Sequence, residues 1–284
     1  MLFLLLAIVT SSLIFIAFKL FEKNGISNIQ AITVNYLTAV IIGYLSTEEI
    51  ITTYVVFGKP WFYFSVGSGI LLIVTFLVYA YSIQKVGIAI TSVSGKMSVI
   101  IPVLLGLLVF QEEATWIRII GIVTALLAFY LTLMKNREQK AKAIFFVFPV
   151  LLFLGNGLND CVLKISQELY IQNDFSMYLT IAFGVSLIAG AIIITFLLIT
   201  KQQKIHYKNL IAGIILGILN WYSTYFFFAG LAQFDVSVFI PVFNASVVCI
   251  AALTGYWFFK EKLSGINIVG IALAVIAIIF IAWK

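Results

Sequence analysis

Apolar runs of about twenty residues recur along the whole 284-residue chain, joined by connections that are mostly very short. A helix needs roughly 20 such residues to cross hydrocarbon, whereas a barrel strand would show about ten residues of strict alternation. The chain is 63% hydrophobic and only 10% charged, with a mean hydropathy of +1.16, far from the composition of soluble globular chains. The sequence therefore predicts an all-α membrane protein with ten transmembrane helices, at 2–21, 28–45, 61–83, 88–110, 115–134, 143–164, 177–199, 209–231, 236–259 and 265–283. The first run lacks a basic n-region and a small-residue cleavage site, so it reads as a retained helix rather than a signal peptide.

The second half of the chain echoes the first. At a constant separation of 149 residues, Ala80, Gln84, Gly106, Glu112 and Gly121 recur as Ala229, Gln233, Gly255, Glu261 and Gly270. Five crossings per copy force the second copy to enter the bilayer upside down, which gives two inverted five-helix repeats, the organisation of secondary transporters. The expected division is 1–134 for the first repeat, 135–142 for a basic connection and 143–284 for the second repeat.

The net charge of +6 arises mostly from Lys and Arg in connections between apolar runs, so it points to membrane orientation and not to nucleic acid. Lys23, Lys85, Lys135, Arg137, Lys140, Lys142, Lys201, Lys204, Lys208, Lys260 and Lys262 gather on one side, against Lys59, Arg118, Lys164 and Lys284 on the other. The positive-inside rule then puts both termini outside. Cys161 and Cys249 sit in spans without a CxxC or a histidine partner, which indicates neither a disulfide framework nor a zinc site.

The repeated pattern of an apolar helix closing on an acidic residue, a short connection, a glycine and a further apolar helix appears twice. It runs from Pro241 through Phe258, Phe259, Lys260, Glu261, Lys262 and Leu263 to Gly270, and from Val109, Phe110, Gln111, Glu112 and Glu113 to Gly121. In this the chain resembles the drug/metabolite transporter superfamily, and within it the EamA type of ten-helix carrier. Ser92 stands where the second repeat has Pro241, and the first helix lacks a mid-helix Trp-Gly pair, so the resemblance does not extend to substrate. It implies a central cavity lined by helices 1, 3, 4, 6, 8 and 9, alternating access, proton-coupled or exchange-driven movement of small metabolites, commonly outward, and cytoplasmic termini.

Ionisable groups in hydrocarbon are costly unless they face a polar cavity or a partner. Lys96, in the stretch from Ser92 to Ser98 that includes Ser94, and Asp160, in the stretch from Asn156 to Asp160, qualify. With the spans above they differ by roughly 13 Å in depth at 1.5 Å per residue, too far for a salt bridge but suited to opposite charges of one zwitterion. A local pair of Asp160 with Lys164, four residues on, is the competing structural reading. Asn220, Ser223 and Thr224 share a face of helix 8, with Thr75 at the equivalent place in helix 3. Asn244 and Ser246 flank the position equivalent to Lys96, and Ser11 and Ser12 match Asn156 and Gly157. Tyr79, Tyr81, Trp221 and Tyr225 could stack on a substrate, although Ser, Thr and aromatic side chains also serve as ordinary interhelical packing. The candidate substrate-binding set is Lys96, Asp160, Asn156, Asn220, Ser223, Thr224, Thr75, Asn244, Ser94, Tyr79 and Trp221. Glu112 and Glu261, repeated at the interface, suit a structural or gating part.

These features point to a secondary transporter of the inner membrane that moves a small metabolite, an amino acid or a related zwitterion or organic anion, by alternating access. Its expected partners are the substrate, membrane lipid and protons, as a monomer or homodimer, with no cofactor and no metal. The alternatives are a multidrug exporter for hydrophobic cations, or a channel or scramblase. The sequence offers no HExxH, paired carboxylates or Ser/His/Asp set, and one histidine, His206, in a connection, which argues against an enzyme.

Overall fold

A computed structural model describes residues 1–46, 58–111, 115–134, 143–171, 175–231, 233 and 236–282. Glu112, the whole basic connection 135–142 and Lys284 lie outside the described residues. The described elements are helical: α1 Leu2–Asn24, α2 Asn28–Ser46, α3 Trp61–Lys85, α4 Ile88–Met97, α5 Ile100–Leu108, α6 Trp116–Leu133, α7 Val147–Leu169 after a 3-10 turn Ala143–Phe146, α8 Phe175–Ile199, α9 Tyr207–Leu231, α10 Val236–Trp257 and α11 Gly265–Ala282.

Eight spans among these are long and apolar enough to cross a bilayer, with α4 and α5 together making the single span Ile88–Leu108. Val242–Trp257 and Gly265–Ile281 are shorter apolar helices. Large apolar side chains such as Val123 and Tyr130 on α6, Ile192 and Phe196 on α8 and Val269 on α11 are exposed. In water this surface would drive aggregation; in a bilayer it faces acyl chains. This is a multi-pass membrane protein.

Helix ends follow local chemistry. Gly25, in the left-handed region at φ 65°, closes α1, with its N–H bonded to the Glu22 carbonyl and that of Ile26 to the Phe21 carbonyl at 2.9 Å, a Schellman cap. Asn267 closes two helices at once. Its Oδ1 accepts from the Ser264 hydroxyl at 2.7 Å at the start of α11, while its Nδ2 donates to the Thr132 carbonyl at 2.9 Å at the end of α6.

The packing forms matched pairs. α6 lies along α11, α2 along α8, and α4 along α10. α2 packs on α9 and α8 on α3, while α1 packs on α9 and α7 on α3. Without a hydrophobic force between helices in lipid, close backbone approach supplies the attraction. Gly213 and Gly217 of α9 lie against Val34 and Thr38 of α2, Gly69 of α3 against Ala182 and Val185 of α8, and Gly121 and Gly270 let α6 and α11 touch near both ends. Gly67, two residues before Gly69, has open space around it.

Two expected spans change shape. The seventh helix runs on to Leu169, because Ile165 and Leu169 continue the apolar stripe and the buried Ser166 gives its hydroxyl to the Val162 carbonyl at 2.7 Å. The crossing expected at 88–110 is interrupted. Pro102 has no N–H for the Ser98 carbonyl, which is taken instead by the Ile101 N–H at 2.9 Å. The Ser98 hydroxyl donates to the Gly95 carbonyl at 2.7 Å, and the Val99 N–H turns to the Lys96 carbonyl at 3.4 Å. The chain thus tightens at Ser98 and Val99 and resumes as α5.

Candidate functional site

The site is built where α3, α4 and α7 meet. A β-carbon on Gly95 of α4 would collide with the Tyr79 hydroxyl of α3, so the glycine is what lets Tyr79 reach across. Its hydroxyl accepts a 2.8 Å hydrogen bond from Asn156 Nδ2 of α7, and Phe15 of α1 packs edge-on to its ring, with centroids 5.6 Å apart. Lys96, the next residue, is half-buried. Its Nζ lies 4.6 Å from the ring centroid of Phe243 on α10, a distance at which the negative face of the ring attracts the ammonium.

Asp160 lies one turn beyond Asn156 on α7 and is also half-buried. The charges of Lys96 and Asp160 act on each other, yet the described ion pairs, Lys19 with Glu22 and Lys85 with Glu22, do not include them. The position of α7, shifted by about four residues toward the C-terminus, corrects the separation in depth. Lys96 precedes the middle of Ile88–Leu108 by two residues and Asp160 follows the middle of Val147–Leu169 by two, so the offset is roughly 6 Å and not 13 Å. Lys164, the alternative partner of Asp160, lies over the Phe110 ring, 5.7 Å from its centroid.

Beside this junction, between α3, α7, α8 and α9, is a cavity of about 120 Å³ into which Asn159, Asn220 and Thr224 project. The Asn159 Oδ1 is buried without a hydrogen-bond partner. The Ser68 and Tyr178 hydroxyls, 2.6 Å apart, also line the cavity.

The candidate residues thus separate into groups. Lys96, Asp160, Asn156 and Tyr79 converge, and Asn220 and Thr224 line the adjoining cavity. Ser223 bonds to Ser11 of α1 at 2.7 Å, joining α9 to α1. Asn244 is half-buried, one residue past Phe243. Ser94 and Thr75 give their hydroxyls to their own helices, to the Ile90 carbonyl and the Leu71 carbonyl, each at 2.8 Å. Trp221 packs against Gly43 of α2 and Phe183 of α8, a wedge between helices. Phe243 and Asn159 were not among the sequence candidates. Asn159 carried a signal, since it neighbours Asp160 in a polar stretch; Phe243 carried none among 26 phenylalanines.

On the basic face, Glu261 lies beyond the end of α10 and folds back onto the start of α4, where Oε1 accepts from the Ile88 N–H at 2.7 Å and Oε2 from the Ala89 N–H at 3.3 Å. A carboxylate suits the orphan donors and positive end of a helix N-terminus. Gly87, at φ 119°, and Gly255 leave room for it. Burial pushes the Glu261 carboxyl up, against the downward pull of the two N–H groups and of Lys19. Lys19, Lys85, Lys260 and Lys262 line a cavity of about 320 Å³ around it.

A model of the EamA-like transporter family matches residues 165–283, which hold the last turn of α7 and all of α8 to α11. This region is an EamA-like transporter domain. The family is one of membrane transporters of small molecules. An uncharacterized protein of Haemophilus influenzae is 26% identical over 286 residues, covering 97% of this chain and 95% of that protein. A solved crystal structure, 16% identical, matches with a TM-score of 0.63 over 98% of this chain and 94% of the other, and shares its fold. Among the described residues of the transporter, no His, Cys, Asp and Glu cluster is placed to hold a metal ion.

Proposed function

We propose that the protein is an inner-membrane secondary carrier for a small zwitterion, an amino acid or a close relative, exported by alternating access with proton coupling or exchange. The observation that carries this reading is the placement of Lys96 and Asp160. They are two opposite charges near mid-span, half-buried, within electrostatic reach and without a direct ion pair. Charges are retained in a membrane when they serve a pathway or a ligand, and a zwitterion inserted between these two would replace lost hydration with a carboxylate at Lys96 and an ammonium at Asp160. Asn156 and Tyr79 would form the wall that orients it.

The two halves are proposed to be inverted repeats, 1–134 and 143–284. Support comes from helix pairs that match under the 149-residue offset: α2 on α9 with α8 on α3, α1 on α9 with α7 on α3, and α1 on α10 with α7 on α4 and α5. A pseudo-two-fold of this kind gives two related ways to close the passage.

Counterflow in proteoliposomes tests the proposal, using amino acids, organic anions and cationic dyes with and without a pH gradient. The expected result is saturable, trans-stimulated flux of a zwitterion, reduced about 100-fold or more by Lys96→Met and by Asp160→Asn. Linear flux without counterflow would assign a channel or scramblase, and dye transport that survives Lys96→Met would assign a cation exporter.

A further inference from the structure

The cavity beside Asp160 has an odd chemical balance. Asn159, Asn220 and Thr224 face it from α7 and α9, Phe76 and Phe183 wall it from α3 and α8, and none of the described residues lining it is charged. Most of its polar groups are satisfied locally. The Ser68 and Tyr178 hydroxyls bond each other, and the Thr224 hydroxyl donates to the Asn220 carbonyl at 3.0 Å. The Asn159 Oδ1 is buried and without a donor. A buried acceptor left bare forfeits its desolvation energy, so the pocket is complete only when a donor enters it.

Its position relates that donor to the head-group site. Asn159 and Asp160 are consecutive, with α-carbons about 3.8 Å apart, and side chains about 100° apart around a helix of 3.6 residues per turn. Asp160 is directed to the Lys96 junction and Asn159 to the neighbouring cavity. A molecule whose ammonium meets Asp160 therefore has its next substituent at the mouth of the pocket. The volume of about 120 Å³ corresponds to roughly four waters at about 30 Å³ each.

We infer that this cavity is the side-chain pocket of the translocation site, selecting an uncharged substituent of about three to five non-hydrogen atoms that donates a hydrogen bond to Asn159 Oδ1. The inference rests on the head-group reading above and adds the specificity element to it. The apolar walls and the absence of a counter-charge reject acidic and basic side chains, which would be desolvated unpaired. The Phe76 and Phe183 rings and the hydrogen-bonded Ser68–Tyr178 pair line the pocket and limit the substituent's size.

Competition of counterflow by glycine, asparagine, leucine and glutamate separates the two readings. Asparagine and leucine have the same size and shape but differ in the donor. Glycine has a head group and nothing for the pocket. Asparagine is expected to compete about tenfold better than leucine, the scale of one hydrogen bond to a desolvated acceptor, with glutamate weakest of the four. Asn159→Leu is expected to invert the asparagine to leucine ratio, and Asn159→Ser, which keeps an acceptor, to restore part of it; thermal midpoints report whether each variant is folded. Glycine competition with equal asparagine and leucine, or a ratio unmoved by Asn159→Leu, overturns the pocket while leaving the head-group site standing. Failure of glycine and every other zwitterion to compete overturns the head-group reading, and the pocket with it.

Discussion

The crossing made by α4 and α5 and its counterpart α10 occupy equivalent places at the 149-residue offset, yet one is broken and the other continuous. Both contain a proline. Pro241 lies five residues after the first residue of α10, Val236, whereas Pro102 lies fourteen residues after Ile88. Near a start, a missing N–H removes little from the ladder; at mid-span it leaves a carbonyl to be satisfied by other means. The broken crossing also carries the charge: Lys96 corresponds to Ala245, and Ser98 to Val247. The unbroken one supplies the Phe243 ring under Lys96. The difference teaches that of two helices proposed to be repeats of each other, one can hold the polar, jointed element while the other serves as its platform.

Exchanging the features of the two helices breaks the comparison most severely. Ala251, the counterpart of Pro102, is 2% exposed in the core, so Ala251→Pro should cost about 3 kcal/mol and lower the thermal midpoint strongly. Pro102→Ala should act the other way, raising the midpoint while slowing turnover, if the joint moves during transport. Both are read by a melting curve and a counterflow rate on the same preparation; a Pro102→Ala carrier with unchanged rate removes the joint from the mechanism.

Gly95→Ala sharpens the comparison at the site itself, because the counterpart of Gly95 is Asn244 and only the first copy must admit Tyr79. The added methyl meets the Tyr79 hydroxyl, and overpacking of this kind costs about 1–3 kcal/mol. Loss of the Tyr79 to Asn156 bond should accompany it, visible as weakened substrate competition. An unchanged midpoint and affinity would contradict the close approach.

The smallest effect is expected at the start of α4. Since burial raises the Glu261 pKa, this carboxyl favours the folded state most below the ordinary carboxylate range, and its contribution fades as pH climbs through the raised value. Glu261→Gln keeps one acceptor and removes the charge, so lost N–H bonds and relieved burial should nearly cancel, within about 1 kcal/mol at neutral pH. The telling readout is the slope: midpoint against pH should decline in the wild type and flatten in the variant.

Much of this was legible in the chain. Apolar length gave the all-helical membrane architecture, and the polar stretches around Lys96 and Asn156 to Asp160 named the residues on which the proposed site is built. The end of α7 was misplaced because Lys164 reads as an interfacial charge, and this, with a start set four residues early, doubled the apparent depth between Lys96 and Asp160. Ser94 and Thr75 looked like cavity residues because hydroxyls that bond backward to their own helix are indistinguishable by sequence from those that do not. Trp221 failed for a similar reason, since a ring filling a gap over Gly43 and one awaiting a ligand have the same spelling. The role of Glu261 depends on a contact with Ile88 and Ala89 across more than 170 residues, which periodicity does not report.

The central claim is that Lys96 and Asp160 face one polar passage. After replacement of Cys161 and Cys249 by serine, Lys96→Cys and Asp160→Cys carriers can be exposed to a charged, membrane-impermeant methanethiosulfonate and to a lipid-soluble maleimide. The account predicts that both positions react with the charged reagent. Modification by the lipid-soluble reagent alone at either position would contradict it.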